Sequence, residues 1–97
     1  MAIQSFGDTV LEEFFNTGTI RKRVSWKNLR KIVMRKLDML HYASVLEDLK
    51  SPPGNRLELL RGELKGWYSI RINDQWRIIF EWTTNGPQKV KVRDYHR

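Results

Sequence analysis

Residues 66–82 read GWYSIRINDQWRIIFEW, and this stretch decides the fold. Two runs rich in β-branched and aromatic residues flank the polar break Asn73-Asp74-Gln75, which predicts a β-hairpin. A two-residue loop would place isoleucines on the same face as Arg77 and Glu81. A three-residue loop separates the faces, so we expect that register. It gathers one apolar face, made of Tyr68, Ile70, Ile72, Trp76, Ile78, Phe80 and Trp82.

The opposite face of the hairpin is predicted to be open and to carry Trp67, Ser69, Arg71, Arg77, Ile79 and Glu81. In this register Arg71 lies directly across from Arg77. Like charges paired across a sheet lower stability. The pair therefore suggests that an anion normally lies between the two guanidinium groups.

Composition limits the class of protein. A chain of 97 residues forms one small domain, spanning residues 1–97. The net charge of +7 and the pI of about 10.1 favour a polyanionic partner over a merely solvated basic surface. The chain has no cysteine, which fits a reducing cytosol. No signal peptide and no run of membrane-spanning length is recognisable, so no membrane association is expected.

The N-terminal half predicts a short edge strand followed by two helices. The strand is Ala2–Phe6, and the first helix is capped by Asp8 and ends at Gly18. Ser25 is the expected N-cap of a long second helix over residues 26–43. Its apolar stripe steps by three and four residues through Trp26, Leu29, Val33, Leu37 and Leu40.

The second helix is strongly basic. Nine basic and three acidic residues lie between Arg21 and Lys50. Lys27, Lys31 and Arg35 project from the predicted helix away from its apolar stripe. This surface suits RNA phosphates or an acidic partner protein, and a solvated helix face is the alternative.

The C-terminal half predicts strands. Residues 51–55 read SPPGN and end the helical part, because proline cannot donate a backbone hydrogen bond. Arg56–Arg61 is a candidate strand with Leu57 and Leu59 inward, and the last strand alternates with Val90 and Val92 inward. The expected fold is α+β in the order β-α-α-β-β-β, an antiparallel sheet with both helices packed on one face.

The open face and its rim collect the polar residues that could form a site: Arg56, Glu58, Arg61, Arg71, Arg77, Lys91, Arg93, Asp94, Tyr95 and His96. Phosphate-binding glycine loops, metal-ligand spacings and nucleophile elbows are absent, so no metal or cofactor is expected. His41 is interpreted as structural or exposed. This face would hold one carboxylate and one imidazole among several basic side chains, which suffices for metal-free RNA cleavage. Basic sheets nevertheless bind RNA without cutting it more often than they cut it.

Three strings give the chain a family resemblance. These are SPPGNRLE at 51–58, LRGELKGWYSIRINDQWRIIF at 60–80 and VRDYH at 92–96. They resemble the HigB branch of the RelE toxin superfamily, and the resemblance extends over essentially the whole chain. It implies a cytoplasmic bacterial endoribonuclease that enters the ribosomal A site and cuts mRNA. It also implies a helix-turn-helix antitoxin of the HigA type. The toxin would contact operator DNA only indirectly, through that antitoxin.

The resemblance also implies roles for single residues. Arg77 matches the arginine that binds the scissile phosphate, and Asp94, Tyr95 and His96 match the terminal active-site string. Arg61 stands at a position that is basic in relatives, and Arg56, Arg71, Lys91 and Arg93 are the expected RNA contacts. Lys27, Lys31 and Arg35 would face the ribosome or the antitoxin.

Glu58 departs from the family pattern, because some relatives have histidine there. Glu58 is then either the general base of a Glu–His pair or a salt-bridge partner of Arg56 or Arg61. In the second case catalysis falls to His96 with Tyr95. Two other functions stay open: inhibition of DNA gyrase, as in the related ParE toxins, and non-catalytic binding of an antitoxin or nucleic acid. The retained D-Y-H ending favours RNA.

Overall fold

The hairpin forms with the expected register. In the computed structural model, which describes residues 2–95, Ile70 lies opposite Ile78 and Arg71 lies opposite Arg77. The Ile72 amide donates to the Trp76 carbonyl at 2.9 Å. The Asn73 side-chain oxygen accepts from the amides of Gln75 and Trp76, at 2.9 and 2.8 Å. Asparagine closes the turn by this side-chain bond, which confirms the three-residue loop.

Two helices precede a four-stranded antiparallel sheet, as an α+β fold requires. The elements are α1 (Thr9–Thr17), α2 (Arg30–Tyr42), β1 (Glu58–Leu59), β2 (Tyr68–Arg71), β3 (Trp76–Thr83) and β4 (Gly86–Asp94). The strands follow one another in the sheet as they do in the chain. Short 3₁₀ turns lie at Lys27–Leu29, Leu46–Lys50, Pro53–Asn55 and Gly62–Leu64.

Both helices bury their apolar stripes against one face of the sheet. Asp8 caps α1 by accepting from the amides of Val10 and Leu11, and Gly18 ends it at φ 77°, as predicted. The buried core consists of Leu11, Phe14, Trp26, Val33, Leu37, Leu40, Ala43, Leu49, Ile70, Ile72, Ile78, Phe80 and Val90. His41 has the expected structural role, since its Nδ1 accepts from the Ile3 amide at 3.3 Å.

The boundaries of the second helix differ from the prediction. Ser25 does not cap it: α2 begins at Arg30 after a 3₁₀ turn, and its N-cap, Leu29, makes no side-chain capping bond. Burial of Trp26, which is 4% exposed, explains the deviation. The indole packs on Phe14 with ring centroids 5.6 Å apart, so tertiary packing of this turn outweighs a favourable cap.

Two predicted strands are reduced. The strand expected over Ala2–Phe6 is reduced to an isolated parallel bridge between Phe6 and Val90. Backbone bonds beside it run from the Gln4 amide to the Pro87 carbonyl at 2.7 Å and from the Gly7 amide to the Val90 carbonyl at 2.9 Å. The strand expected over Arg56–Arg61 shrinks to Glu58–Leu59, because Arg56 adopts a left-handed conformation (φ 47°). Leu59 is 59% exposed, so its expected inward orientation was wrong.

The second face of the sheet is not fully open. Ser69, Arg77 and Ile79 are all buried on it. The Lys91 ammonium lies 5.4 Å from the centre of the Trp67 ring, so the aliphatic stem of Lys91 covers part of this face. The strict alternation expected of β4 is interrupted at Lys89 (φ 55°), next to a register shift in its pairing with β3. Among residues 2–95, no helix is both long and apolar enough to span a bilayer.

Candidate functional site

Three arginines form a row across three strands. Arg77 on β3 lies opposite Arg71 of β2 on one side and opposite Arg93 of β4 on the other. Antiparallel pairing places such partners on one face of a sheet with their Cβ atoms about 5 Å apart. Asp74 and Glu58 offset part of the positive charge at Arg71 and Arg77. Three arginines on one face still outnumber these two carboxylates, so the row is a candidate phosphate site.

Arg77 is the buried centre of this row, with only 7% of its surface exposed. Its Nε donates to the Ser69 hydroxyl at 2.8 Å, and its Nη2 donates to the Arg56 carbonyl at 2.5 Å. These two bonds fix the plane of the guanidinium. Burial lowers the pKa of Arg77, and the negative charge of Glu58 works against that shift.

The Nη1 nitrogen of Arg77 is left available. Within residues 2–95 it has no hydrogen-bond partner, yet no buried side-chain nitrogen or oxygen there lacks one. Nη1 therefore reaches solvent. A guanidinium that is fixed at two nitrogens and open at the third is preorganised to donate to an incoming oxyanion.

Glu58 and Tyr95 flank Arg77. A carboxylate oxygen of Glu58 lies 3.7 Å from Nη2, and the Glu58 side chain is 51% exposed. The Tyr95 ring centre lies 5.3 Å from the Arg77 guanidinium carbon. Glu58 was expected to act as a base or to pair with Arg56 or Arg61, but its ion-pair partner is Arg77. Its exposed position leaves it able to meet a substrate.

The hairpin turn contacts Arg71 at one end of the arginine row and the residues that follow Arg93 at the other. Asp74 binds Arg71 at 2.5 Å, and this hydrogen bond lowers the pKa of Asp74. Gln75 donates from its side chain to Asp94 at 3.2 Å and accepts from the Tyr95 amide at 2.5 Å. The turn thereby fixes the end of β4, which carries the predicted active-site string. His96 lies outside the described residues.

The other predicted contacts divide into two groups. Arg93 is exposed at the β4 end of the row, and Arg56, whose carbonyl accepts from Arg77, is exposed as well. Lys91 lies against Trp67, and Arg61 is exposed at the turn before Gly62. Lys27, Lys31 and Arg35 are exposed on the helical layer. Lys31 and Arg35 line a surface depression of about 440 Å³ there, separate from the arginine row.

Sequence reasoning did not identify two contributors to the site, the Ser69 hydroxyl and the Arg56 carbonyl. The predicted strand register could have indicated Ser69, because Ser69 lies on the same face of the sheet as Arg77 and is its diagonal neighbour on β2. A backbone carbonyl leaves no signal in a sequence. Lys36 looked like one more surface lysine of a basic helix, yet it is only 9% exposed.

Comparison with known proteins gives the same assignment as the resemblance. The family model described as "RelE-like toxin of type II toxin-antitoxin system HigB" matches residues 4–96. Toxin HigB-1 of Vibrio cholerae is 45% identical over 82 residues, covering 84% of each chain. An uncharacterized protein of Haemophilus influenzae is 39% identical over 82 residues, covering 84% of this chain and 80% of its own. The chain therefore belongs to the HigB-like family of RelE-like toxins from type II toxin–antitoxin systems.

Proposed function

We propose that this toxin is a ribosome-dependent endoribonuclease that cuts mRNA without a metal ion. The observation that carries the proposal is the arrangement at Arg77, whose guanidinium is fixed at two nitrogens and open at the third. Such a group stabilises the additional negative charge that develops on a phosphate during cleavage. Arg71 and Arg93, on either side, would hold the flanking phosphates.

The proposed reaction is an internal transfer within the RNA. A general base removes the proton from a ribose 2′-OH, and the oxygen attacks the adjacent phosphorus. A P–O bond forms while the bond to the departing 5′-oxygen breaks, and a general acid returns a proton to that oxygen. The products are a 2′,3′-cyclic phosphate and a 5′-OH, so no water is consumed in this step.

Glu58 and His96 are the proposed proton-transfer groups. Glu58 supports the proposal as base because its carboxylate is partly exposed and lies 3.7 Å from Arg77. The role of His96 rests on the family resemblance and on the fit of an imidazole to general acid catalysis near neutral pH. Tyr95 would stack on a base of the bound codon above Arg77.

Dependence on the ribosome follows from how few groups this site holds. Two candidate proton-transfer groups and a row of arginines cannot orient a flexible RNA, so the ribosome would supply the positioning. The antitoxin that the family implies would be a HigA-type helix-turn-helix protein, and the toxin would act in the cytosol. The exposed basic surface at Lys27, Lys31 and Arg35 would meet the ribosome or that antitoxin.

The test compares purified toxin on free mRNA with toxin on the same mRNA in a reconstituted translation reaction. We expect cuts within the translated frame and 2′,3′-cyclic phosphate ends only when ribosomes are present. Efficient cutting of free RNA would overturn the ribosome dependence. Absence of cutting in both reactions, together with inhibition of gyrase supercoiling, would replace the proposal by a ParE-like function.

A further inference from the structure

Asn55 is a fully buried polar residue that joins α2 to the loop before β1. Its Oδ1 accepts from the Lys36 ammonium at 2.5 Å, and its Nδ2 donates to the carbonyls of Leu49 and Ser51, at 3.1 and 3.4 Å. Nδ2 also lies 3.6 Å from the Met39 sulfur. One amide therefore binds a helix side chain and two loop carbonyls.

The chemistry of this pair shows what the position requires. Burial lowers the pKa of Lys36, and the neighbouring charges of Arg35 and Arg71 add to that effect. A carboxylate partner would offset the buried charge, yet the partner is a neutral amide. Only an amide side chain can accept from lysine and also donate to two carbonyls. Asn55 thus provides hydrogen bonds to the two loop carbonyls, but it does not neutralise the charge of Lys36.

The loop held by Asn55 leads directly to Arg77. The next residue, Arg56, adopts φ 47° and ψ 57°, a left-handed conformation that non-glycine residues keep only where their surroundings impose it. Backbone bonds from Asn55 to Pro52 and from Arg56 to Pro53, at 2.9 and 3.1 Å, complete this tight turn. The turn aims the Arg56 carbonyl at Nη2 of Arg77, which donates to it at 2.5 Å.

We infer that Asn55, anchored by Lys36, is a positioning residue that sets the orientation of the Arg77 guanidinium through the backbone carbonyl of Arg56. The inference deepens the proposed function, on which its catalytic consequence rests. Asn55 touches no substrate in this arrangement. It determines which way the open Nη1 of Arg77 points.

The first measurement does not depend on activity. In ¹⁵N-labelled protein, the resonance of the Arg77 Nη2–H that donates to the Arg56 carbonyl is identified by its absence in Arg77→Lys, and its hydrogen exchange is measured. Asn55→Asp keeps the size of the side chain and the bond from Lys36, but sets an oxygen against the two loop carbonyls. We expect exchange at Arg77 Nη2–H to become at least about tenfold faster. Val33→Ala, a buried change on α2, the helix that carries Lys36, is the control and should leave this resonance unchanged.

Unaltered exchange in folded Asn55→Asp would overturn the inference. If that variant does not fold, Lys36→Met decides instead, because it removes the helix anchor and leaves the loop bonds of Asn55 in place. Lys36→Met should also shift the Arg77 resonance and speed its exchange. A wild-type signal in Lys36→Met would then refute the positioning role.

The second measurement is cleavage on translating ribosomes under single-turnover conditions. Asn55→Asp should lower the rate about tenfold with unchanged ribosome affinity, less than the ~10²–10³ expected when an oxyanion contact is removed. In an Arg77→Ala background it should cause no further decrease, since residues that act through one group are not additive. If the double variant instead showed the product of the two separate decreases in cleavage rate, the inference would be overturned. If wild-type toxin cuts nothing, the proposed function fails, and the exchange measurement still decides the role of Asn55.

Discussion

Arg77 has a structural role, and the proposed function gives the same side chain a catalytic one. Two substitutions separate the two roles. Arg77→Ala leaves the Ser69 hydroxyl and the Arg56 carbonyl without their donor. We expect a decrease of about 1–3 kcal/mol in the free energy of unfolding and a fall of about 10²–10³ in cleavage rate. Arg77→Lys keeps the positive charge but cannot bridge both acceptors, so it should also cut poorly. Denaturant midpoints and single-turnover rates measure the two effects. An Arg77→Ala protein that cuts within a fewfold of wild type would exclude the phosphate role.

Glu58 is tested by a change that keeps its shape. Glu58→Gln retains hydrogen bonding and removes basicity, and because the side chain is half exposed the fold should tolerate it. If Glu58 is the base, cleavage falls about 10²–10⁴, as it should for His96→Ala, while ribosome binding is unchanged. The double variant should be little worse than either single one. Cutting at the wild-type rate by Glu58→Gln would leave the proton transfers to His96 and Tyr95.

Lys36 makes stability depend on pH in a predictable direction. Burial lowers its pKa in the folded protein below the value in the unfolded chain, so folding favours the neutral amine. The resulting penalty is fully present below the folded pKa and disappears as pH rises toward the unfolded value. The free energy of unfolding of the wild type, measured relative to Lys36→Met by denaturant titration, should therefore increase from neutral to alkaline pH. A difference that is constant or falls would contradict this.

At the scale of elements, the exposed basic residues of the helical layer predict a salt effect. Changing Lys27, Lys31 and Arg35 together to glutamate should weaken ribosome association and flatten its dependence on salt. The logarithmic slope should change by about 0.7 for each single-strand phosphate that the variant no longer neutralises. The control changes Lys22, Lys50 and Lys65, three exposed lysines outside the segment from Lys27 to Tyr42, to glutamate. This control variant has the same change in net charge, and the salt dependence of its ribosome binding should stay closer to that of the wild type. Equal slopes in both triple variants would show that this surface does not contact RNA.

The elements also show where sequence-based prediction succeeds. The Asn73 turn, the Asp8 cap and the Gly18 end were all predicted correctly, because each is set by chemistry within a few residues. Ser25 failed because packing of Trp26 against another helix outweighed the local preference. The strand at Arg56 failed for a similar reason, since contacts of the preceding loop impose the left-handed turn there.

At the scale of the whole molecule, the sequence predicted that the three arginines share one face of the sheet, but not the contacts that fix Arg77. Pairing rules placed Arg71 opposite Arg77, and alternation placed Arg93 on the same face. The burial of Arg77 could not be predicted, because it depends on a loop more than twenty residues away in the chain folding over that face. Long-range contacts of this kind involve backbone carbonyls and neutral amides, which carry no distinctive pattern.

Residues 4–7 bear on how the protein is synthesised. The Lys89 amide donates to the Ser5 hydroxyl at 2.9 Å across 84 positions of the chain. Because translation adds roughly 5–20 residues per second, residues 4–7 are synthesised seconds before β4, the strand that they border. A nascent chain lacking β4 also lacks Arg93 and Tyr95, two neighbours of Arg77. The cleavage site that we propose would therefore be complete only after β4 has been synthesised and has paired with β3.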